Sequence, residues 1–284
     1  MRLTLESQIN LFNNNSFDCS KVTTRNYSTS FTLGIKTLNK KFHKPIYAIY
    51  GFVRFADEIV DSFYGQNQKN LLQEFKKETY NSIRRKMSLN PILNSFQICV
   101  NKYKISEELI ESFLYSMEMD LNKKKYDKSN YEKYIYGSAE VVGLMCLKIF
   151  CKKESEYKSL VRYAKSLGSA FQKINFLRDL KSDYKDRGRL YFPDINYTSL
   201  DNKEKKIIEK NILSDFNSGL IGIKKLPDEA KFGVYLTYKY YLSLFNKISR
   251  LDAEIIKQKR IRISNFSKFI IFIKSFLLIK LNLI

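Results

Sequence analysis

The sequence has little of several residue types on which common folds and active sites depend. Its 284 residues include ten glycines, four prolines, one histidine and no tryptophan. Because sheets and turns rely on glycine and proline, this scarcity favours a helical chain. The single histidine, His43, leaves almost no material for a Ser-His-Asp relay or a histidine-rich metal site.

Cysteine is also sparse and unpatterned. Cys19, Cys99, Cys146 and Cys151 form no Cys-X-X-Cys pair, and we interpret them as free thiols of the core. The N-terminus has no secretory apolar segment, so we expect a reducing, cytoplasmic location. A glycine-rich phosphate loop is missing too, which favours phosphate binding through metal ions and cationic side chains.

Positive charge, in contrast, is abundant. Lysine and arginine total 50 against 29 acidic residues, a formal net charge of +21. Such an excess suits nucleic acid, an anionic membrane or an anionic substrate. The lysines are spread along the chain, with short basic runs at 122–125, 203–206 and 257–262. Because no nucleic-acid module accompanies them, we expect a solvated surface and no nucleic-acid partner.

The apolar content predicts one large helical domain. At 44% hydrophobic residues, the chain is long enough for a single core, and we find no repeat or linker. We predict an all-α domain over 1–284, with a short extension at about 1–17 and an amphipathic apolar C-terminal helix at about 266–284. The predicted helices cover about 18–36, 43–63, 67–86, 91–103, 105–122, 129–151, 156–183, 202–223, 227–250 and 266–282.

Two acidic pairs with the same spacing are the most informative feature. Asp57 and Asp61 form one pair, and Asp179 and Asp183 form the other. At four residues apart, both carboxylates of a pair project from one helix face, where like charges repel. A repeated pair therefore suggests cations between the two helices, although a solvated helix face is the ordinary reading of one isolated pair.

Each pair continues a polar stripe along its own helix. The stripe residues are Tyr47, Tyr50, Arg54, Asp57 and Asp61 on the first helix, and Gly168, Gln172, Asn175, Asp179 and Asp183 on the second. Burying such groups unpaired costs several kcal/mol each, so we expect them to line a wet, ion-filled cavity. Oxygen ligands of this kind suit magnesium, which commonly combines one or two carboxylates with substrate phosphates and water. We expect Mg²⁺, with Mn²⁺ as a substitute.

The motifs around these pairs resemble those of the squalene/phytoene synthase family of head-to-head prenyl transferases. Their sequences look most like those of bacterial phytoene synthases. The matching stretches are 47–61, 168–183 and 188–193, with weaker similarity at 28–31, 117–120 and 134–143. Glu58 stands where many relatives have a second aspartate; it keeps a carboxylate, so we expect no loss of chemistry. The resemblance implies an all-α isoprenoid synthase bundle around a central cavity.

The resemblance also assigns roles to residues. The implied catalytic residues are Asp57, Asp61, Asp179, Asp183, Arg54 and Tyr50, and the implied metal ligands are the four aspartates with Asn175. The implied substrate-binding residues are Ser28, Ser30, Phe31, Tyr47, Tyr134, Ala139, Phe171, Gln172, Asn175, Arg178, Arg189 and Tyr191. Arginine suits diphosphate because its planar fork binds phosphate oxygens bidentately. Arg260 and Arg262 are weaker candidates by position, and the small residues at 134–143 suggest either room for isoprenoid chains or close helix packing.

Three functions stay open at this point. The resemblance implies a phytoene synthase that joins two geranylgeranyl diphosphates through a cyclopropylcarbinyl diphosphate, the first committed step of carotenoid biosynthesis. No nicotinamide cofactor is expected for that product. The alternatives are squalene or dehydrosqualene synthesis from farnesyl diphosphate, and a non-catalytic lipid- or RNA-binding helical protein. The expected partners are prenyl diphosphates, with other carotenoid-pathway enzymes beside them.

The C-terminal stretch 269–284 is apolar but short. As a helix, its sixteen residues span about 24 Å, less than the hydrocarbon core of about 30 Å, and Lys274 and Lys280 interrupt it. Lys268, Lys274, Ser275 and Asn282 fall roughly on one side. We therefore expect either a final helix packed on the bundle or an interfacial helix in peripheral contact with the inner face of the cytoplasmic membrane.

Overall fold

A computed structural model describes residues 4–122, 125–281 and 283–284. Over these residues the chain is helical, as predicted, with one isolated bridge between Lys125 and Leu190 as its extended pairing. The helices are α1 (Leu5–Tyr27), α2 (Thr29–Lys36), α3 (Lys40–Asp61), α4 (Gln68–Arg85), α5 (Pro91–Tyr103), α6 (Glu107–Asn122), α7 (Lys128–Ile135), α8 (Val141–Phe150), α9 (Glu154–Lys185), α10 (Asn202–Lys224), α11 (Asp228–Ser249), α12 (Ala253–Gln258) and α13 (Asn265–Lys280).

The N-terminal part differs from the prediction of one helix at 18–36. Helix α1 already begins at Leu5, so most of the predicted extension is helical, and the chain breaks at Ser28. Ser28 has extended backbone angles, and its side chain accepts a hydrogen bond from the Phe31 amide at 3.2 Å. Serine is a favoured N-cap because its hydroxyl satisfies an amide that the helix leaves free. The break lets α2 turn toward the cavity.

The predicted helix at 129–151 contains a wide turn. Residues Tyr136–Glu140 form a π-helical turn between α7 and α8. Gly137 lies within this turn, where a Cβ would overlap the Ser112 carbonyl and the Ser116 side chain of α6. Close packing therefore explains this glycine. The extra residue of a π turn shifts the following side chains, and such turns often mark functional sites.

Two apolar clusters form the core and meet at a central cavity. One cluster joins α3 to α4, α5, α6 and α8, and includes the stacked rings of Phe52 and Phe96, 3.8 Å apart. The other joins the second half of α9 to α10, α11 and α12, with Phe216 at its centre. Helix α12 was not predicted, because six residues are too short for a periodic signal. Helices α3 and α9 thus bring their acidic pairs from two separate clusters.

Helix α13, the last of the described helices, packs by one side on α11. Phe272 and Phe276 each lie 5.9 Å from the ring of Phe232, and Ser275 is fully buried. This matches the packed-helix expectation for the tail; Asn282 lies outside the described residues. Over the described residues, no helix is both long and apolar enough to cross a membrane.

Candidate active site

The two acidic pairs lie at one end of the central cavity. Asp57 and Asp61 occupy the last two turns of α3, and Asp179 and Asp183 occupy the last two turns of α9. All four line the cavity. The carboxylates that share a helix face in the sequence pattern therefore point into the same cavity in the structure.

Arginines surround these carboxylates. Arg189 donates to Asp61 at 2.6 Å, Arg187 donates to Asp183 at 3.0 Å, and Arg260 lies 2.7 Å from Asp179. The Nε atom of Arg187 also lies 3.5 Å from Asp61. Arg187 therefore links the acidic pair of α3 with that of α9. Gly188, at φ 66°, supplies the left-handed turn that lets the arginines on either side of it both reach this end.

Arg54 and Arg178 are held by acidic residues of their own helices. Arg178 donates to Asp179 at 3.0 Å. Arg54 pairs with Glu58, one turn away, and its guanidinium lies 4.2 Å from the ring of Tyr27. Glu58 reaches back to Arg54 and, unlike Asp57 and Asp61, is not part of the cavity wall.

Two of the crowded carboxylates, Asp57 and Asp183, hold protons more tightly than free aspartate does. Burial, followed by repulsion from Asp61, raises the pKa of Asp57 to about 7. Burial and the charge of Asp179 raise the pKa of Asp183 to about 7 as well. Both effects disfavour an unscreened negative charge. A bound cation would reverse both, so the electrostatics fit a site for positive charge.

A buried carboxylate below this end was missed from the sequence. Asp120 accepts hydrogen bonds from the hydroxyls of Tyr126 at 3.1 Å, Tyr134 at 2.6 Å and Tyr191 at 3.0 Å. Burial raises its pKa to about 6, although Arg189, 3.9 Å away, acts in the opposite direction. Asp120 thereby joins two predicted substrate-binding tyrosines to the arginine that holds Asp61. Its only sequence signal was the weak similarity at 117–120.

The donor set fits a hard divalent cation. Five carboxylates line the cavity, those of the two acidic pairs and that of Asp120. The Oδ1 atom of Asn175 is buried there without a hydrogen-bond partner, one turn before Asp179. Within the described part of the chain, no three acidic, histidine or cysteine side chains converge into a ready-made cage. An ion held here would therefore complete its shell with water and substrate oxygens, as magnesium commonly does.

Below the carboxylates the cavity becomes apolar. Its volume is about 690 Å³. Near the polar end, Phe31 lies 5.7 Å from Tyr50 and 5.9 Å from Tyr241, and Phe171 stacks on Tyr241 at 4.1 Å. Burial raises the pKa of Tyr50 to about 12, so its phenol stays neutral. Tyr241 gave no sequence signal, because it lies on a helix outside both motifs.

Most of the predicted site residues lie on the cavity wall. These are Ser28, Phe31, Tyr50, Arg54, Asp57, Asp61, Tyr134, Ala139, Phe171, Gln172, Asn175, Arg178, Asp179, Asp183 and Tyr191. Arg189 touches the site through Asp61. Ser30 and Tyr47 are not part of the wall; Tyr47 is buried beside His43, with 6.5 Å between ring centres. Arg260 reaches the acidic end, whereas Arg262 is exposed.

Glycines keep the helices around the apolar part close together. A Cβ on Gly168 would lie 2.7 Å from the Ala139 carbonyl, and one on Gly143 would lie 3.0 Å from the Ala164 carbonyl. Of the two explanations for the small residues at 134–143, close packing applies at Gly137 and Gly143. Ala139 and Gly143 also line the cavity. Small residues there therefore serve both explanations: they let the helices pack closely, and they leave space for a ligand.

Sequence comparisons find relatives that match most of this chain. A 4,4'-diapophytoene synthase from Staphylococcus haemolyticus is 24% identical over 236 residues, 82% of this chain and 81% of its own length. A phytoene synthase from Arthrospira platensis is 23% identical over 270 residues, 86% of this chain and 87% of its own length.

Solved structures share the fold. A dehydrosqualene synthase in complex with ligand superimposes with a TM-score of 0.81 at 20% identity, covering 94% of this chain and 98% of that one. A squalene synthase from Alicyclobacillus acidocaldarius gives a TM-score of 0.73 at 18% identity, over 84% and 94% of the two chains. The profile described as Squalene/phytoene synthase matches residues 24–267. The chain therefore belongs to the squalene/phytoene synthase family, whose members are prenyl transferases.

Proposed function

We propose that the protein is a phytoene synthase that joins two geranylgeranyl diphosphates head to head, 1-1′, in a magnesium-dependent reaction. The reaction passes through a cyclopropylcarbinyl diphosphate, releases diphosphate and is the first committed step of carotenoid biosynthesis. One observation carries the proposal: a cavity that is acidic and arginine-lined at one end and apolar along the rest of its length. Such a cavity suits a ligand with a diphosphate head and a long hydrocarbon tail.

The length of the cavity supports the twenty-carbon substrate. Cavity-lining residues continue along α9 from Asp183 back to Leu160, and Tyr163 lies near the far end. From Asp179 to Tyr163 the helix rises about 24 Å, at about 1.5 Å per residue. Each isoprene unit adds four chain bonds of about 1.5 Å in zigzag, or about 5 Å, so four units span about 20 Å. Three units, about 15 Å long, would end near Gly168.

The polar end would bind and ionise the substrates. Asp57, Asp61, Asp179 and Asp183, together with Asn175, would hold magnesium. When bound, magnesium supplies Lewis-acid neutralisation of the departing diphosphate. The arginines at this end would bind the remaining phosphate oxygens, because a guanidinium offers paired donors in a fixed plane. In doing so they would release their aspartate partners, Asp61, Asp179 and Asp183, which would then be free to hold magnesium.

The apolar part would protect the carbocation. The faces of Phe31, Phe171, Tyr50 and Tyr241 adjoin the polar end, and aromatic faces attract positive charge through their quadrupole. Few donors or acceptors lie deeper in the cavity, so water has little to bind there. Loss of a proton then ends the cascade without a reductant, in keeping with a product that needs no nicotinamide.

A second candidate is the corresponding reaction of two farnesyl diphosphates. It is favoured by the similarity to a 4,4'-diapophytoene synthase and by the superposition on a dehydrosqualene synthase. Against it stand the cavity length and the several relatives named phytoene synthase. The two candidates share the polar end and differ in how far the chain extends along α9.

A product assay tests both candidates. Purified protein with Mg²⁺ is incubated separately with farnesyl and geranylgeranyl diphosphate, each with and without NADPH, and products are identified by mass spectrometry. We expect phytoene from geranylgeranyl diphosphate, with no requirement for NADPH, and almost none from Asp179→Asn. Exclusive use of farnesyl diphosphate would establish the second candidate, and absence of hydrocarbon from either substrate would favour a binding role.

We also propose that α13 rests on the inner face of the cytoplasmic membrane. Its outward side carries Phe266, Phe269, Ile273, Leu277 and Leu281, which are 41–73% exposed. From residue 255 to the end, the sequence has seven basic residues and no acidic one. An apolar face amid basic charge suits an interface with anionic lipid, and the hydrocarbon product needs a bilayer to enter.

A further inference from the structure

The far end of the cavity is closed by a small group of side chains from two helices and a turn. Phe150 of α8, Leu160 and Tyr163 of α9, and Leu226 after α10 line it there. All four are buried. Tyr163 differs from the others because it reaches from the cavity to the molecular surface.

Contacts at the surface hold the Tyr163 ring in place. Its hydroxyl accepts a hydrogen bond from Arg162, an exposed residue, and that bond lowers the pKa of the phenol. The Arg162 guanidinium lies 4.5 Å from the ring centre, and the Lys225 ammonium lies 5.3 Å from it. A cation near an aromatic face is attracted to it. Two cations thus hold the outer part of a ring whose inner part faces the cavity.

Helix α10 makes room for this ring with a glycine. A Cβ built on Gly222 would overlap the Cβ of Tyr163 and lie 3.0 Å from its Cγ. The absence of a side chain at Gly222 lets Tyr163 pack directly against the α10 backbone. The Tyr163 ring is therefore held at the surface by Arg162 and Lys225 and packs on one side against the α10 backbone at Gly222.

From these contacts we infer that Tyr163 is the floor of the hydrocarbon cavity and sets the longest prenyl chain that the enzyme accepts. The inference rests on the proposed function and extends it. It follows from the position of Tyr163, about 24 Å along α9 from Asp179, which is just beyond the about 20 Å that an extended four-unit chain spans. A fifth unit, about 5 Å longer, would meet the ring.

The test replaces the floor with a shorter side chain. Tyr163→Leu and Tyr163→Ala open the far end, and each is compared with Tyr157→Leu. Tyr157 lies on the same helix, its ring is likewise covered by a cation, Lys148 at 4.0 Å, and it does not line the cavity. Circular dichroism and thermal unfolding show whether each variant remains folded.

Two measurements are made on every variant. One is the ratio of kcat/KM for geranylfarnesyl (C25) diphosphate to that for geranylgeranyl diphosphate. The other is the ratio of binding constants for the C25 and C20 thiolodiphosphates, which do not ionise. We expect Tyr163→Leu to raise both ratios at least about tenfold, since single methylene groups in a tight pocket already change discrimination by that much. Tyr157→Leu leaves both ratios unchanged.

The possible failures are distinguishable. If the thiolodiphosphates bind in the cavity but no hydrocarbon forms, the proposed function is wrong, and the binding ratio still decides the role of Tyr163. A folded Tyr163→Leu with wild-type ratios overturns the floor assignment while leaving the proposed function intact. Equal ratios in Tyr163→Leu and Tyr157→Leu overturn it in the same way.

Discussion

At the scale of single residues, the four aspartates at the acidic end of the cavity repel one another. The aspartates of each pair stand one turn apart and face the other pair across the cavity, and burial adds to the repulsion. Arg187, Arg189 and Arg260 relieve part of it. The remaining repulsion lowers the stability of the folded chain, and a bound cation would relieve it.

This arrangement predicts an unusual dependence of stability on pH. Asp57 and Asp183 have folded-state pKa values near 7 against 3.8 for a free aspartate, so between these values the folded chain binds more protons than the unfolded one. Stability therefore falls as pH rises toward 7. In EDTA, we expect the thermal midpoint to drop by at least a few degrees between pH 5 and pH 8.

Asparagine variants isolate the cause. Asp57→Asn and Asp183→Asn remove the charge, so their midpoints exceed that of wild type at pH 8 and approach it at pH 5. Asp18→Asn, an exposed residue of α1, serves as the control and follows wild type at both values. Two results would contradict the proposed repulsion between the aspartates. One is a wild-type thermal midpoint that rises between pH 5 and pH 8, and the other is an Asp57→Asn variant that is less stable than wild type at pH 8.

The periodicity of the sequence revealed the residues whose partners lie on the same helix, whereas Arg189 and Tyr191 were predicted from the family resemblance alone. A period of 3.6 places Asp57 with Asp61 and Asn175 with Asp179 whatever the tertiary structure. Asp120 and Tyr241 belong to the site only through contacts between distant segments; Asp120, for instance, meets Tyr191 seventy-one positions later. Packing decides such contacts, and no local pattern encodes them.

At the scale of elements, the long periodic helices were predictable and the interruptions were not. Helix α9 was predicted over 156–183 and observed over Glu154–Lys185. The break at Ser28 depends on one cap, and the π turn depends on the fit of Gly137 against α6. Both interruptions shape the cavity wall, so the parts of the fold hardest to predict are close to the site.

Helix α13 gives a prediction at this scale. The double variant Phe269→Ser with Ile273→Ser changes two exposed side chains and leaves the packing of Phe272 on Phe232 intact. If α13 lies on lipid, binding to phosphatidylglycerol vesicles at low salt falls about tenfold, since burial of apolar side chains supports interfacial binding. Turnover of detergent-dispersed substrate stays unchanged. Sedimentation with vesicles measures the binding.

The control for α13 is Leu89→Ser, which removes a side chain 90% exposed elsewhere on the surface. It should bind vesicles as wild type does. Added salt should weaken wild-type binding, because charges at the lipid surface are screened. Equal vesicle binding by the double variant and Leu89→Ser would exclude α13 as the membrane contact.

At the scale of the whole molecule, the site joins two cores. The pair on α3 is anchored in the cluster around Phe52, and the pair on α9 belongs to the cluster around Phe216. A ligand that binds both pairs therefore links both halves of the bundle. Because such a ligand binds the folded chain and not the unfolded one, it stabilises the fold by mass action.

This linkage predicts that magnesium and a diphosphate act together on stability. Geranylgeranyl thiolodiphosphate with Mg²⁺, at about 100 times its dissociation constant, adds about 2.7 kcal/mol, or roughly 5–10 °C at about 2–4 °C per kcal/mol. Either component alone gives much less, because each lacks the partner that completes its binding. Asp57→Asn and Asp179→Asn, each weakening one half of the site, should reduce the joint shift, whereas Asp18→Asn keeps it. Differential scanning calorimetry measures the shifts, and Mg²⁺ alone producing the full shift would show that the diphosphate does not bridge the two pairs.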